Sequence, residues 1–427
     1  MNIANQQVSE TQRKRYIRMI IIGNLSLLFI FAVTLTVYVQ QTKSQSAPLG
    51  LFGEKKLSII YSSDTTLSLV ESSQIDSMRL AVKEIDYEIA GYPIEIREMN
   101  NGVGLGSKRT WSADLETRNA YRAANDPSVI AYVGPGASGA AQISMPLLNY
   151  AGIPQISLSN TYPGLTRPGY AQGEPEKFYP TGVRHYFRMT ANDADQSRVV
   201  LDVLKEEGQG TVSILDDGST YGRGLAREVG KLAADEAILI THSATLSTST
   251  ESGVSEAQAI LTASTSAVFY GGSNGDAFLA VLQTLHDAGY AGIIIGADGL
   301  TYTNFLNDSK GFNENVYVTG LGKTLTENDG EMTKNFIVSF ESEYHRKPTA
   351  TDATAYDAMK LLLYAIEKNG IERDAIIEAF NTLEDFRGVL GTIDFDEYGD
   401  ATRKSLQLFQ IKNNAYTLVR DIEYQEK

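Results

Sequence analysis

Residues 130–161 constrain the architecture most, because they spell strand, glycine-broken turn, helix and strand without interruption. Residues 129–133, Val-Ile-Ala-Tyr-Val, form a short β-branched run suited to a parallel strand covered on both faces. Gly134, Pro135, Gly136 and Gly139 then break the pattern while allowing close backbone approach. Ile143, Leu147 and Tyr150 recur at helical spacing, which predicts a helix over 140–150 that stops at Gly152. Residues 153–157 return as a strand, with Ser159, Asn160 and Thr161 at its exit. In an open α/β sheet both loops leave the carboxyl ends of neighbouring strands, where such sheets take ligands. Ser138 falls at the start of the helix, whose free N–H groups and dipole favour an anion such as a carboxylate. Serine and threonine also cap helices and turn chains without binding anything, and the local pattern leaves that reading open.

The same alternation continues on both sides. Strands at 57–61 and 94–99 alternate with helices at 72–90 and 110–125, the first carrying Ile75, Met78, Val82, Ile85 and Ile89 on one face. After an irregular stretch at 170–184, a new cycle starts at 185–190. It predicts helices at 195–205, 223–233, 255–263 and 276–288, and strands at 211–215, 238–242, 267–270 and 292–295. One sheet this wide is unusual, so the expected class is α/β with two doubly wound parallel-sheet lobes. Residues 316–319 read as a crossing back, followed by helices at 331–343, 353–368 and 374–382 and strands at 391–395, 404–411 and 416–421. The expected division is 56–190 with 320–400 as lobe 1, and 191–319 with 401–427 as lobe 2. A chain of 427 residues, 42% hydrophobic, is long enough for two full cores.

Residues 19–39 form an uncharged, largely apolar run of the length a helix needs to span a bilayer. Arg13, Lys14, Arg15 and Arg18 precede it, which keeps the N-terminus in the cytoplasm and places the body outside. The expectation is a basic cytoplasmic tail (1–18), a single transmembrane helix (19–39) acting as an uncleaved signal anchor, and a tether (40–55). The body then lies on the extracytoplasmic side of a bacterial inner membrane. A cleaved signal peptide is the competing reading; its apolar region is ordinarily shorter, and the candidate site Ser46-Ala47 is followed by Pro48.

The net charge is −15, and residues 1–40 carry those four basic groups against Glu10, so the remainder holds −18. Such a body repels phosphate backbones, which argues against nucleic acid as a partner. The absence of cysteine excludes disulfides, thiolate metal sites and a cysteine nucleophile. His185, His242, His286 and His345 are scattered without paired ligand spacing, so no metal centre is expected. Gly-Ala-Ser138-Gly-Ala misses the nucleophile-elbow spacing, and the glycines at 102, 104 and 106 miss the dinucleotide fingerprint. No P-loop is present. The expectation is a protein that is not an enzyme and carries no cofactor.

Four phrases, in order and spacing, resemble the branched-chain amino-acid-binding family, the extracytoplasmic solute receptors of ABC importers. They are Asp217-Gly-Ser-Thr-Tyr-Gly-Arg-Gly-Leu-Ala226, Val268-Phe-Tyr-Gly-Gly272, Ala355-Tyr-Asp-Ala-Met-Lys-Leu-Leu362, and Phe386-Arg-Gly-Val-Leu-Gly-Thr-Ile-Asp-Phe-Asp-Glu-Tyr-Gly-Asp400. The resemblance covers roughly 57–419 and implies a type I periplasmic-binding fold with a multi-strand hinge. It also implies a carboxylate site from the loops holding Ser138, Gly139 and Thr161, and a backbone carbonyl from Ser159. Asp298 would hold the ligand's ammonium, with Tyr221 and Tyr270 contacting ligand across the cleft. The family often carries glutamate where this chain has Asp298, and the first loop, 62–71, lacks an aromatic that some members place over the ligand side chain. Only a closed form would neutralise both ends of a zwitterion, so ligand would shift an open–closed equilibrium. The implied function is capture of an amino acid or amide-like small molecule for an importer with separate ABC permease and ATPase subunits. A ligand sensor of the same fold acting on a signalling partner is the alternative.

Overall fold

A computed structural model describes residues 56–64, 69–104, 110–273, 275–301 and 304–425. The basic tail, the apolar run and the tether expected over 1–55 lie outside the described residues. Among the described residues no helix is long and apolar enough to cross a membrane.

The first half runs β1 (Leu57–Ser63), α1 (Leu69–Lys83), β2 (Glu88–Ile89), β3 (Tyr92–Asn100), β4 (Gly102–Val103), β5 (Thr110–Trp111), α2 (Ala113–Ala124), β6 (Val129–Val133), α3 (Ser138–Tyr150), β7 (Gln155–Ser157) and β8 (Tyr186–Arg188). Its main sheet has the order β2-β3-β1-β6-β7-β8 and is parallel apart from the β2–β3 hairpin. The second half runs α4 (Asp193–Glu206), β9 (Thr211–Asp216), α5 (Thr220–Asp235), β10 (Leu239–Thr245), α6 (Thr250–Thr262), β11 (Ala267–Gly271), α7 (Asp276–Asp287), β12 (Ile293–Gly296), α8 (Phe305–Asp308) and β13 (Tyr317–Leu321). Three helices follow, α9 (Glu331–Tyr344), α10 (Ala350–Asn369) and α11 (Arg373–Asn381). A small hairpin, β14 (Phe386–Gly388) with β15 (Gly391–Ile393), then leads into β16 (Arg403–Lys412) and β17 (Ala415–Gln425). The second sheet has the order β10-β9-β11-β12-β13-β16-β17, with β16 and β17 antiparallel.

The central strands of the two sheets, β6 and β11 among them, are covered on two faces, which is why these read as unbroken apolar runs. Along β1, Ile59 packs with Met78 of α1 and Met359 and Leu362 of α10, while Ile60 packs with Ala120, Ala123 and Leu148 of α2 and α3. In the second sheet Ile214 and Phe269 pack with Val199 and Leu225, whereas Leu215 and Val268 face Ala257 and Phe278. The fold is thus the expected α/β type I periplasmic-binding architecture.

Two sequence expectations are corrected. The helix expected over 72–90 ends at Lys83. Asp86 and Tyr87 adopt left-handed φ of 54° and 58°, which no helix continues through, so Ile89 opens a hairpin instead. Residues 316–319 are not the crossing: β13 lies between β12 and β16 inside the second sheet, and the chain leaves only after Leu321.

Three segments join the sheets, after Arg188, after Leu321 and before Arg403. The first and third are bonded to each other. The Arg188 N–H donates to Gly399 O at 2.8 Å and the Ala401 N–H donates to Arg188 O at 2.9 Å. The fully buried Arg188 guanidinium meets Asp400 through Nε at 2.9 Å. Burial works to raise the Asp400 pKa, but Arg188 and Arg167 outweigh it and hold the carboxyl below its ordinary value.

Candidate functional site

The site is built where the loops after β6 and β7 face the turn after β12. Helix α3 starts at Ser138, and its N-cap, Ala137, offers no side-chain hydrogen bond. The N–H groups of Ser138 and Gly139 therefore have no partner inside the helix. Ser138 is buried, and its hydroxyl accepts from the Tyr162 N–H at 3.3 Å. At Gly139 an added Cβ would stand 2.8 Å from the Trp111 ring and 3.5 Å from the Thr220 hydroxyl of the second half. One turn on, Thr220 Oγ1 donates to Gln142 Oε1 at 3.2 Å, so α3 and α5 meet across the cleft.

Asn160 fixes the two loops to each other. Its Nδ2 donates to the carbonyls of Pro135 and Gly136, both at 2.8 Å, and its Oδ1 accepts from Tyr186 at 2.9 Å. Ser159 adds a bond from Oγ to Gly136 O at 3.1 Å. Arg188 continues the scaffold from below, donating to the carbonyls of Asn160 and Tyr162 and to the Thr166 hydroxyl. Thr161 is consequently buried and held, with its carbonyl accepting from the Asp193 N–H at 2.8 Å.

The opposite wall is acidic. Asp298 follows β12 in a short 3-10 turn, Asp298–Leu300, and is buried. Its Oδ1 accepts from Tyr221 at 2.6 Å, and the same phenol accepts from the Gly299 N–H at 2.8 Å. Burial pushes the Asp298 carboxyl up to about 6, with the Tyr221 hydroxyl and the Gln196 side chain restraining the shift. Burial, and then the Asp298 charge, push the Tyr221 phenol far above its ordinary range.

A second carboxylate, not anticipated from the sequence, stands beside these. Asp193 opens α4 and is fully buried, and neither of its carboxylate oxygens has a hydrogen-bond partner. Burial raises its pKa well above the carboxylate range. The nearby Thr161 hydroxyl offsets part of that shift without completing a bond, and the Asp298 charge adds to it. Arg188, the cation that steadies Asp193 from a distance, is committed to Asp400. A signal for Asp193 was present: Asn192 and Asp195 already supply the capping box of α4, which leaves the carboxylate between them surplus.

The structure thus brings Ser138, Gly139, Ser159 and Thr161 together on one wall and Tyr221 and Asp298 together on the other. Tyr270 is not among them. Its ring stacks on Phe278 at 3.8 Å inside the second core, and its hydroxyl donates to Ser273 O at 2.7 Å. Among the described residues no group of three or more His, Cys, Asp or Glu is arranged to hold a metal ion. The arrangement offers N–H and hydroxyl donors to an anion and paired carboxylates to a cation, without a nucleophile–base pair.

Comparison with known proteins gives the same picture. Residues 77–414 match the family described as "Receptor family ligand binding region". The chain is 25% identical over 236 residues to a Leu/Ile/Val-binding protein homolog of Brucella melitensis, an alignment covering 54% of this chain and 62% of that protein's length. It overlays an isoleucine complex of a branched-chain amino acid transporter substrate-binding protein from Streptococcus pneumoniae with a TM-score of 0.68 at 20% identity, covering 87% of this chain and all of the other. A solute-binding protein from Rhodopseudomonas palustris in complex with p-hydroxybenzoic acid overlays with a TM-score of 0.70 at 16% identity, over 87% of this chain and 98% of that one. These relatives are binding proteins, not enzymes, and the resemblance carried by the four phrases is borne out. Matched through both sheets, the chain belongs to the receptor family defined by this ligand-binding region.

Proposed function

We propose that this chain is an extracytoplasmic solute-binding protein that captures an amino acid between two lobes and delivers it to an ABC importer. The lobes would be 56–190 with 320–400, and 191–319 with 401–427, closing about the three joining segments. Ser138, Gly139 and Thr161 receive the α-carboxylate; Asp298 and Asp193 receive the ammonium, with Ser159 contributing its carbonyl and Tyr221 orienting Asp298. The observation that carries this reading is the pair of buried carboxylates, Asp193 and Asp298, which form no salt bridge among the described residues, with Asp193 adjoining the Thr161 loop. A zwitterion supplies the missing cation to one wall and an anion to the other. The names of the relatives, Leu/Ile/Val-binding proteins and transporter substrate-binding proteins, support the same class.

The test is calorimetric titration of the purified full-length protein with the common amino acids. At least one should bind saturably, and Asp298→Asn should remove most of that affinity; binding that survives the substitution unchanged overturns the ammonium assignment. Membrane attachment through residues 19–39 belongs to the same proposal. It predicts that the full chain expressed in a bacterium stays with membranes through alkaline carbonate washing, and release into the soluble fraction overturns it.

A further inference from the structure

Between β7 and β8 of the first sheet the chain makes a long detour, residues 163–184, with two short 3-10 turns at Pro163–Leu165 and Glu176–Phe178. The detour is tied to its own side of the molecule. Arg167 Nε donates to Asp400 Oδ2 at 2.9 Å, Tyr179 donates to Leu165 O at 3.0 Å, and the Thr181 N–H donates to Asn149 Oδ1 of α3 at 2.9 Å. Beneath it lies a separate apolar cluster that includes Met145, Tyr162, Leu165 and Phe178.

Its outer edge nevertheless touches α5, a helix of the second sheet. Thr220, Gly224 and Arg227 fall at i, i+4 and i+7, on one face of that helix. Thr220 meets Gln142 of α3, and Gln142 Nε2 in turn donates to Glu174 Oε1 of the detour at 3.2 Å. Tyr162 donates to the other oxygen of Glu174 at 2.8 Å. At Gly224 an added Cβ would stand 2.6 Å from the Tyr162 ring, so the missing side chain lets the helix lie this close. Arg227 ends the row. Its Nη2 donates to Gly169 O at 2.9 Å, its Nη1 donates to Tyr170 O, and its guanidinium carbon lies 5.5 Å from the centre of the Tyr170 ring.

This junction differs from the cores on either side of it. The cluster under the detour contains no residue of α5, while Leu225 and Val229 of α5 are buried in the second core. The hydrogen bonds across the junction are polar contacts outside both cores, and Arg227 makes its own from an exposed position. Such a contact can part and re-form without exposing a hydrocarbon core. A planar guanidinium also suits two neighbouring carbonyls, which the point charge of an ammonium matches less well.

Resting on the two-lobed closure put forward above, we propose that residues 163–184 are a strap that Arg227 clasps as the cleft shuts, biasing the open–closed equilibrium toward the closed form. The Thr220–Gly224–Arg227 face of α5 is the matching half of the clasp.

The absence of cysteine in the chain allows a direct test. Thr117→Cys on α2 and Glu251→Cys on α6, both exposed, take spin labels in the full-length protein, and pulsed electron resonance reads the distance between them. Spectra are recorded alone and with an equimolar mixture of the common amino acids. Where a short and a long distance are both populated, Arg227→Met should lower the short-to-long ratio about fivefold, with the melting temperature nearly unchanged. Arg227→Lys should fall between the two, since a single ammonium replaces the fork. A ratio that Arg227→Met leaves unchanged in both conditions overturns the clasp. A ratio that responds to Arg227→Met but not to the mixture keeps the clasp and overturns the amino-acid reading. One distance throughout, whatever is added or substituted, overturns the closure and the clasp with it.

Discussion

The two walls of the site differ in how complete they are before anything binds. On the first wall, Asn160 closes the loops of Pro135, Gly136 and Ser159 onto one another, and Arg188 carries the carbonyls of Asn160 and Tyr162. Its side-chain donors and acceptors are largely matched, so its shape is maintained by the protein alone. On the second wall, Asp298 has one phenolic partner and the Asp193 carboxylate has no hydrogen-bond partner, and burial pushes both carboxyls upward. Its charge is uncompensated until a cation arrives. A binding protein thereby separates two tasks: one wall maintains geometry, and the other stores electrostatic demand that only ligand meets.

The largest effect that could break this contrast concerns the scaffold. Arg188→Met takes from the buried Asp400 one of its cations, leaving Arg167 and the more remote Lys404, and removes three supports of the Thr161 loop. It should lower unfolding free energy by about 3–5 kcal/mol in urea titrations. A loss under about 1 kcal/mol would mean the first wall does not depend on this cation. Asp298→Asn addresses the other wall and should act on affinity instead, costing about 2–5 kcal/mol of amino-acid binding. The ligand-free melting temperature should hold or rise, since an ill-compensated buried charge is gone. A fall of several degrees would show Asp298 to be structural support and erase the distinction.

Protons should compete with ligand at the second wall only. The Asp298 pKa, about 6 in the fold against an ordinary 3.8, lies above its unfolded value. This group therefore lowers ligand-free stability as pH rises from about 4 to 6, and adds no further change above that. An ammonium favours the ionised carboxyl, so affinity should be about tenfold weaker at pH 5 than at pH 7. Titrations flat across that range would sever the link between Asp298 and the cation. The smallest expected effect is Ser138→Ala, about 1 kcal/mol of affinity with the melting temperature nearly unchanged, because backbone N–H donors remain. No measurable loss would take that hydroxyl out of the site.

The first wall was the more legible of the two in the sequence, and for a physical reason. Glycine turns, hydroxyls and a helix start are local signals, so Ser138, Gly139 and Thr161 could be read from one stretch. Asp298 and Tyr221 needed the family resemblance, because the bond between them joins residues 77 positions apart. Asp193 was hidden by an ordinary local role: acidic residues crowd helix starts, and only the fold brings this one against Thr161. Tyr270 shows why an aromatic at a strand end is ambiguous in sequence: here its ring stacks on Phe278 while its hydroxyl reaches Ser273. The overlong first helix followed from Ile85 and Ile89 keeping the helical period beyond the left-handed turn at Asp86 and Tyr87.

The bond from the Asp193 N–H to the Thr161 carbonyl lies just past the strand where Arg188 fastens the two halves. When bodies swing apart about an axis, displacement grows with the lever arm, so in the proposed closure this corner would travel least and the edge at Gln142 and Thr220 further. An incoming solute would therefore first encounter a nearly finished corner holding Thr161 and Asp193 and dock there by one end. Closure would follow as the second event, driven by what the far edge gains on arrival. Association kinetics would then be governed by that corner, and residence time by the rim.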